Sequence, residues 1–242
     1  MYKRTLFSEL ESAMNIRQIL TITGMRRVGK TTTLKYLLGK VRSSNKLYVD
    51  LERIEYRILF KSSNYENIVQ GLKYEGLDFS RKAWIAIDEI QLLPEITSII
   101  KYIYDTYDVK FIVTGSSSFY LKNHFTESLA GRKRVFELFP LSFYEFLRFR
   151  GYSGTLPDKP FLPYNQLLTA KLQSYYLEYL EYGGFPEVAL SDNPSGKIDL
   201  LKDIVNSYLQ IDIKFLADFS KVDEIYRIIT LLTSRVGSKT DY

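Results

Sequence analysis

Apolar and polar positions follow two rhythms along this chain. Through residue 150, short apolar runs alternate with stretches in which apolar residues return every three or four positions. The runs are Ile19–Thr23, Leu47–Leu51, Trp84–Asp88, Phe111–Thr114 and Val135–Phe139. Near-continuous apolarity over four or five residues predicts strands buried on both faces. Between them, Lys30–Leu38 places Leu34, Leu37 and Leu38 on one helical face, and Glu95–Tyr107, introduced by Pro94, forms another helical pattern. This alternation predicts an α/β fold, a five-stranded parallel sheet flanked by helices.

The rhythm then changes. Ser142-Phe-Tyr-Glu145 matches a capping box and opens a helix to about Arg150. Gly151–Asn165, rich in Gly, Pro and Ser, reads as a boundary. Beyond it the periodicity is helical over Leu167–Tyr182, Leu200–Leu216 and Val222–Leu232. The expected organisation is a core over 1–150, a linker over 151–166 and a helical unit over 167–242. No terminal element closes Arg235–Tyr242, so the chain reads as a piece of a longer polypeptide. The tyrosine-rich stretch 175–182 has the composition of a base-stacking surface, but at helical spacing it reads first as a packed face with hydroxyls at its rim.

Composition narrows the chemistry. The 242 residues are 45% hydrophobic and 25% charged, as in ordinary globular proteins. No run reaches the length of a membrane span, and the N-terminus lacks a signal-peptide pattern, so no membrane role is expected. There is no cysteine, and His124 is the single histidine. Disulfides, thiolate zinc sites and Ser-His triads are therefore set aside, and a cytoplasmic location is expected. Net charge is +5 overall but +7 over residues 1–60, +1 over 61–150 and −3 over 151–242. The positive excess surrounds one glycine-rich loop, where an anion would be steered.

That loop is Gly24-Met25-Arg26-Arg27-Val28-Gly29-Lys30-Thr31-Thr32. It fits G-x-x-x-x-G-K-[ST] between a strand and a helix. Glycines let consecutive amides curl around phosphate oxygens, and the helix behind adds the positive end of its dipole. Lys30 is placed to reach the β- and γ-phosphates, and the Thr31 hydroxyl to ligate Mg²⁺. A second strand, "WIAIDEI" over 84–90, ends in Asp88 and Glu89. Asp88 is expected to hold the metal, and Glu89 to take a proton from an attacking water. "KFIVTGSSS" over 110–118 offers Thr114 or Ser116 to the γ-phosphate or the water, or is simply a turn capping a helix. Arg132, Lys133 and Arg134 offer a guanidinium or ammonium to the γ-phosphate, or are solvated charges.

In this order, these pieces resemble the AAA+ superfamily of P-loop ATPases. They are most similar to its prokaryotic AAA-type group, abundant in archaea and related to the STAND ATPases. The resemblance rests on Gly24–Thr32, "DEIQ" from Asp88, "TGSSS" from Thr114, "LAGR" from Leu129, "FPLSFYEF" over 139–146 and "YGGFPEV" from Tyr182. It implies an ASCE-type parallel sheet with a helical lid, and Mg²⁺-dependent ATP binding and hydrolysis to ADP. Asp88 becomes the Walker B residue and Glu89 the catalytic glutamate. Thr114 or Ser116 becomes a sensor, and Arg132 an arginine finger acting on a neighbouring subunit's nucleotide. Pro186 of "GGFP" would lie against adenine; from periodicity alone, Gly183-Gly184 is a helix C-cap and Pro186 a breaker. The group's pattern includes Arg26 and Arg27, and a further C-terminal domain commonly follows. No basic residue stands out as the lid's second sensor.

Two functional classes remain. One is an ATPase coupling nucleotide state to lid movement or partner remodelling. The other is a slow nucleotide-gated interaction switch. Both admit a homo-oligomer and a protein or DNA partner. A small-molecule kinase shares the loop, but the Asp-Glu pair and the all-helical C-terminal third disfavour it.

Overall fold

The computed structural model describes residues 2–115, 129–154, 166–208 and 222–234. Ser116 and residues 155–165 of the expected boundary lie outside the described residues. All five expected strands are present: β1 (Ile19–Thr23), β2 (Lys46–Asp50), β3 (Ala83–Asp88), β4 (Val109–Gly115) and β5 (Lys133–Glu137). They pair in parallel in the order β2-β3-β4-β1-β5. The strand carrying the glycine loop and the strand carrying the acids are thus separated by β4.

The central strands β1, β3 and β4 are buried on both faces, which is why they read as apolar runs rather than alternating ones. On one face Ile85, Ile87, Phe111 and Val113 pack under α4 (Tyr65–Tyr74) and α5 (Ile96–Thr106). On the other, Leu20, Ile22, Ala86 and Ile112 pack under α1 (Phe7–Ala13) and α2 (Lys30–Lys40). The short α3 (Ile54–Leu59) follows β2 and buries none of its residues, so periodicity gave it no signature. The sheet is therefore the middle of three layers.

Two strand boundaries moved for physical reasons. β4 begins at Val109 because Lys110, a charge inside an apolar strand, is fully buried with its ammonium on the carbonyls of Ala13, Ile16 and Gln18. β5 starts two residues earlier than expected because it is an edge strand. Only Phe136 in it is buried, and Phe139, which pulled the expectation downstream, is 62% exposed.

The helical part begins with α6 (Phe143–Phe149), whose capping box forms as expected between Ser142 and Glu145. It continues with α7 (Gln166–Tyr182), α8 (Pro186–Leu190), α9 (Pro194–Ser207) and α10 (Val222–Ser234). Leu141, Phe146 and Ala189 form its small core, against which Phe143, Tyr175 and Tyr179 pack. Tyr175 and Tyr179 therefore serve as a packed face, and the Tyr179 hydroxyl donates to the Leu141 carbonyl at 2.8 Å. Pro186 starts a helix rather than breaking one, since a missing N–H costs nothing in the first turn. α9 begins six residues earlier than expected, at Pro194, because the Asn193 side chain caps it. Residues 209–216 of the helix expected there lie outside the described residues.

Candidate functional site

The carboxyl ends of β1, β3 and β4 lie side by side, the edge at which open parallel sheets bind ligands. After Thr23 the chain turns sharply. Gly24 has φ 144°, and a Cβ there would stand 2.2 Å from the Leu138 carbonyl oxygen just past β5, so only glycine fits. Arg27 (φ 65°) and Gly29 (φ 98°) also lie in the left-handed region and curl the loop. For Arg27 this is a conformation a side chain disfavours, the kind of strain that clusters at functional sites.

Lys30 opens α2 and is buried. Its Nζ folds back over the loop, donating to the carbonyls of Gly24 at 3.0 Å and Met25 at 2.9 Å. The Gly29 carbonyl accepts from both the amide and the hydroxyl of Thr33, each at 2.9 Å, anchoring the loop to the first turn of the helix.

Asp88 closes β3 and is buried. Its Oδ2 accepts from the Tyr48 hydroxyl at 3.0 Å and its Oδ1 from the Thr114 hydroxyl. The same Thr114 oxygen accepts from the Glu89 backbone N–H at 3.1 Å. Thr114 thus ties both acids to β4 and fixes the turn between them. Burial, then the Asp88 charge, pushes the Tyr48 phenol well up. Glu89 stands in a left-handed conformation (φ 57°) and accepts from the Gln91 amide. Burial is the strongest influence on its carboxyl and raises it above the ordinary carboxylate value. Lys30, the Gln91 hydrogen bond and Arg26 pull the other way.

The loop, Glu89 and the helical part meet at one cavity of about 740 Å³, lined by Arg26, Arg27, Gly29, Lys30, Thr31 and Thr32 from the loop, by Glu52 and Glu89 from the sheet edge, and by Pro186, Glu187, Leu190 and Ser207 from the helices. Asp88 and Thr114 stand behind Glu89 and do not line it. A second cavity of about 400 Å³ adjoins it through Gly29, Thr32, Pro186 and Leu190. Tyr2, Phe7, Val28 and Phe149 make its walls largely apolar, and Arg4 also lines it. A polar chamber beside an apolar one suits a ligand with an anionic tail and a flat apolar head. Thr31 and Asp88 offer a hydroxyl and a carboxylate. Among the described residues, no three His, Cys, Asp or Glu side chains form a metal cage. An all-oxygen pair of this kind fits a hard cation such as Mg²⁺, which keeps its waters and takes phosphate oxygens.

Pro186 borders both cavities. Gly183 (φ 72°) caps α7, and a Cβ on Gly184 would stand 2.3 Å from the Leu141 carbonyl, so the segment before Pro186 presses directly on the chain after β5. Arg27 of the loop pairs with Glu187 of α8 at 2.9 Å, a direct bond between loop and helical part.

Arg132 is not brought to this site. It precedes β5 at the amino edge of the sheet, where Ile19 aligns with Lys133. A strand length of about 13 Å separates that edge from the loop. Its guanidinium grips Asp105 at 2.8 and 3.0 Å. Lys133 and Arg134 lie on the same edge strand, away from the loop of their own chain.

Sequence reasoning missed the N-terminal contribution. Arg4, buried beneath the loop, makes a two-pronged bond to Glu145, with Nε on Oε1 at 3.0 Å and Nη2 on Oε2 at 3.3 Å. Burial, the largest effect, raises the Glu145 carboxyl, but Arg4 and the amides of Thr5 and Ser142 outweigh it and hold the group below its ordinary value. The capping box marked Glu145, but no local pattern marks its partner 141 positions away.

Residues 16–147, a little over half of the chain, match the family model of an AAA domain, and 173–242 match a domain of unknown function. An uncharacterized protein of Haemophilus influenzae is 29% identical over 225 residues, covering 90% of this chain and 52% of its own length. One of Methanocaldococcus jannaschii is 27% identical over 205 residues, covering 85% and 44%. The chain thus spans about half the length of these relatives. The solved structure of C. elegans PCH-2 superposes with a TM-score of 0.54 at 14% identity, covering 86% of this chain and 70% of that one. No helix among the described residues is long and apolar enough to cross a membrane. With this sheet order, this loop and this match, the chain belongs to the AAA domain family of P-loop ATPase-like proteins, a fold that supports nucleotide binding.

Proposed function

We propose that the chain binds ATP with Mg²⁺ and hydrolyses it to ADP and phosphate, coupling the nucleotide state to the helical part. The observation that carries this reading is the single cavity shared by Gly29, Lys30, Thr31, Glu89 and Pro186. The triphosphate lies along the loop, with its base in the apolar chamber near Pro186. Lys30 exchanges its carbonyl partners for phosphate oxygens, as charge-assisted bonds to an anion are the stronger ones. Thr31 and Asp88 would hold Mg²⁺, which would neutralise phosphate charge. Glu89 takes a proton from water as its oxygen bonds to the γ-phosphorus and the bond to the ADP oxygen breaks. Thr114 keeps the acidic turn in register. Arg26 lines the phosphate end, and Arg27 reports to Glu187.

Replacing Glu89 by Gln tests the assignment: ATP affinity is expected to stay within about threefold while turnover falls roughly 10²- to 10⁴-fold. Undiminished phosphate release removes Glu89 from the mechanism.

A second reading is a slow interaction switch, possessing the site but little turnover. It is supported by the Gln91 bond that occupies Glu89 and by the distance of Arg132. An arginine supplied by a neighbouring copy, or a protein or DNA partner, would then set the rate. Phosphate release per chain, measured against protein concentration and with DNA added, separates the two readings.

A further inference from the structure

We infer that Arg4 is a positioning residue for the phosphate loop, fixing the direction of the Val28–Gly29 peptide; this rests on the nucleotide reading above. Arg4 is buried, and both it and Glu145 have side chains only 7% exposed. Two of its five donors are taken by Glu145. Its Nη1 donates to the Val28 carbonyl at 3.0 Å and its Nη2 also to the Phe139 carbonyl at 2.7 Å.

The described chain contains no cis peptide. In a trans peptide the carbonyl and the following N–H point in opposite directions. A Val28 oxygen drawn toward Arg4 therefore turns the Gly29 N–H the other way, into the hollow around which the loop curls. The orientation needs enforcing. Gly29 has φ 98°, and a Cβ there would meet nothing within 4 Å. A glycine with open surroundings passes readily between backbone regions, so the peptide before it can flip. A flipped peptide would aim a carbonyl at the phosphates where an amide is required.

Lys30 restrains the carbonyls of Gly24 and Met25, at the other end of the loop. Arg4 restrains Val28 from the wall of the adjoining apolar chamber, behind the phosphate cradle. Its own place is secured because Glu145 also accepts from the Thr5 amide at 2.7 Å and the Ser142 amide at 3.0 Å. The N-terminal segment, the chain after β5 and the start of α6 thereby converge on one loop peptide. An arginine acting only as a staple would hold these segments together without influencing nucleotide affinity.

The two roles separate in kinetics. The Gly29 amide contacts phosphate in ground state and transition state alike, so its loss raises KM and leaves kcat nearly constant. The test is the Arg4→Met/Glu145→Gln double variant, which removes both buried charges and keeps one side-chain oxygen to accept from either the Thr5 or the Ser142 amide. Its expected KM for ATP is about tenfold higher or more, with kcat within about threefold and ADP affinity weakened in parallel. Arg4→Lys retains the charge but not the fork. It is expected to raise KM as well, and it decides the matter should the double variant fail to fold. Unchanged KM and ADP affinity in folded variant protein, with only the melting temperature lowered, overturns the assignment and leaves Arg4 a staple. Wild-type protein that gives no heat on titration with ATP overturns the nucleotide reading and this inference with it, an outcome distinct from variants that bind as wild type does.

Discussion

Two of the buried lysines among the described residues lie at opposite ends of the same sheet, and both of these spend their charge on backbone carbonyls. Lys30 holds Gly24 and Met25 at the carboxyl edge. Lys110 holds Ala13, Ile16 and Gln18 at the amino edge. Their hydrogen-bond inventories are nearly alike, and their surroundings are not. Lys30 borders the large cavity, beside Arg26 and Glu89. Lys110 is wrapped by the chain between α1 and β1 and borders none of the cavities described above. Burial of a cation therefore does not mark function. What distinguishes Lys30 is that its partners are a glycine-loop segment open to a ligand, so they can be exchanged. Those of Lys110 are sealed in.

The largest effect expected is a crossed one. On the proposed reading, Lys30→Ala removes charge-assisted bonds to the phosphates, each worth about 1.5–3 kcal/mol, so nucleotide affinity should fall on the order of 100-fold with little change in melting temperature. Lys110→Met should do the reverse. Its three carbonyls lose their donor in a closed space, at a cost of about 1–3 kcal/mol for each left unsatisfied, while nucleotide affinity stays at the wild-type value. Calorimetry and thermal unfolding on both variants decide it. If Lys30→Ala costs mainly stability, or Lys110→Met mainly affinity, the contrast between the two ends is wrong.

Thr114→Val sharpens the comparison at the carboxyl edge. The hydroxyl serves Asp88 and the Glu89 amide at once, and valine keeps its shape without either bond. Phosphate release is expected to fall about tenfold or more as the acidic turn loosens, with a stability loss of about 1–3 kcal/mol. A wild-type rate would mean that Thr114 only fills space.

The amino edge has a pH signature of its own. Burial, then the nearby charge of Lys82, lowers Lys110 from 10.5 to about 8. The unfolded chain then binds more protons than the folded one between about pH 8 and 10.5, so this group makes stability rise with pH across that window. Tyrosines raised in the folded state, Tyr36 and Tyr48 among them, act oppositely, losing stability as pH climbs past 10. The observable is therefore the wild-type stability minus that of Lys110→Met at each pH. It should increase from pH 8 upward, and a flat difference would show that the carbonyls hold the ammonium charged.

The sheet, its strand content and the loop were legible because each rests on local pattern: apolar runs, a strand–glycine–lysine–helix order, a capping box. Lys110 shows where pattern fails, since a charge in a strand reads as a boundary until the carbonyls that receive it are seen. Arg4 shows a second kind of failure. Its site is assembled from Val28, Phe139 and Glu145, and contacts closed over more than a hundred residues leave no periodic trace. The acids at 88 and 89 were readable as a pair and Thr114 as a candidate hydroxyl, but that this hydroxyl joins the acids became visible only once β4 was known to run between β1 and β3.

The smallest effect is expected at Arg132. Its pairing with Asp105 is exposed, and pairs of that kind contribute about 0–1 kcal/mol, so Arg132→Ala should barely alter melting. On its own chain it stands a strand length from the loop, so nucleotide affinity should also be unchanged, within about twofold. What remains is whether the guanidinium meets the nucleotide of another copy. Phosphate release per chain, followed against protein concentration, answers this. A wild-type rate that climbs with concentration while the variant's stays flat assigns Arg132 to a neighbour's site. Identical, concentration-independent rates leave it a surface contact with Asp105, and the amino edge of the sheet then takes no part in the chemistry.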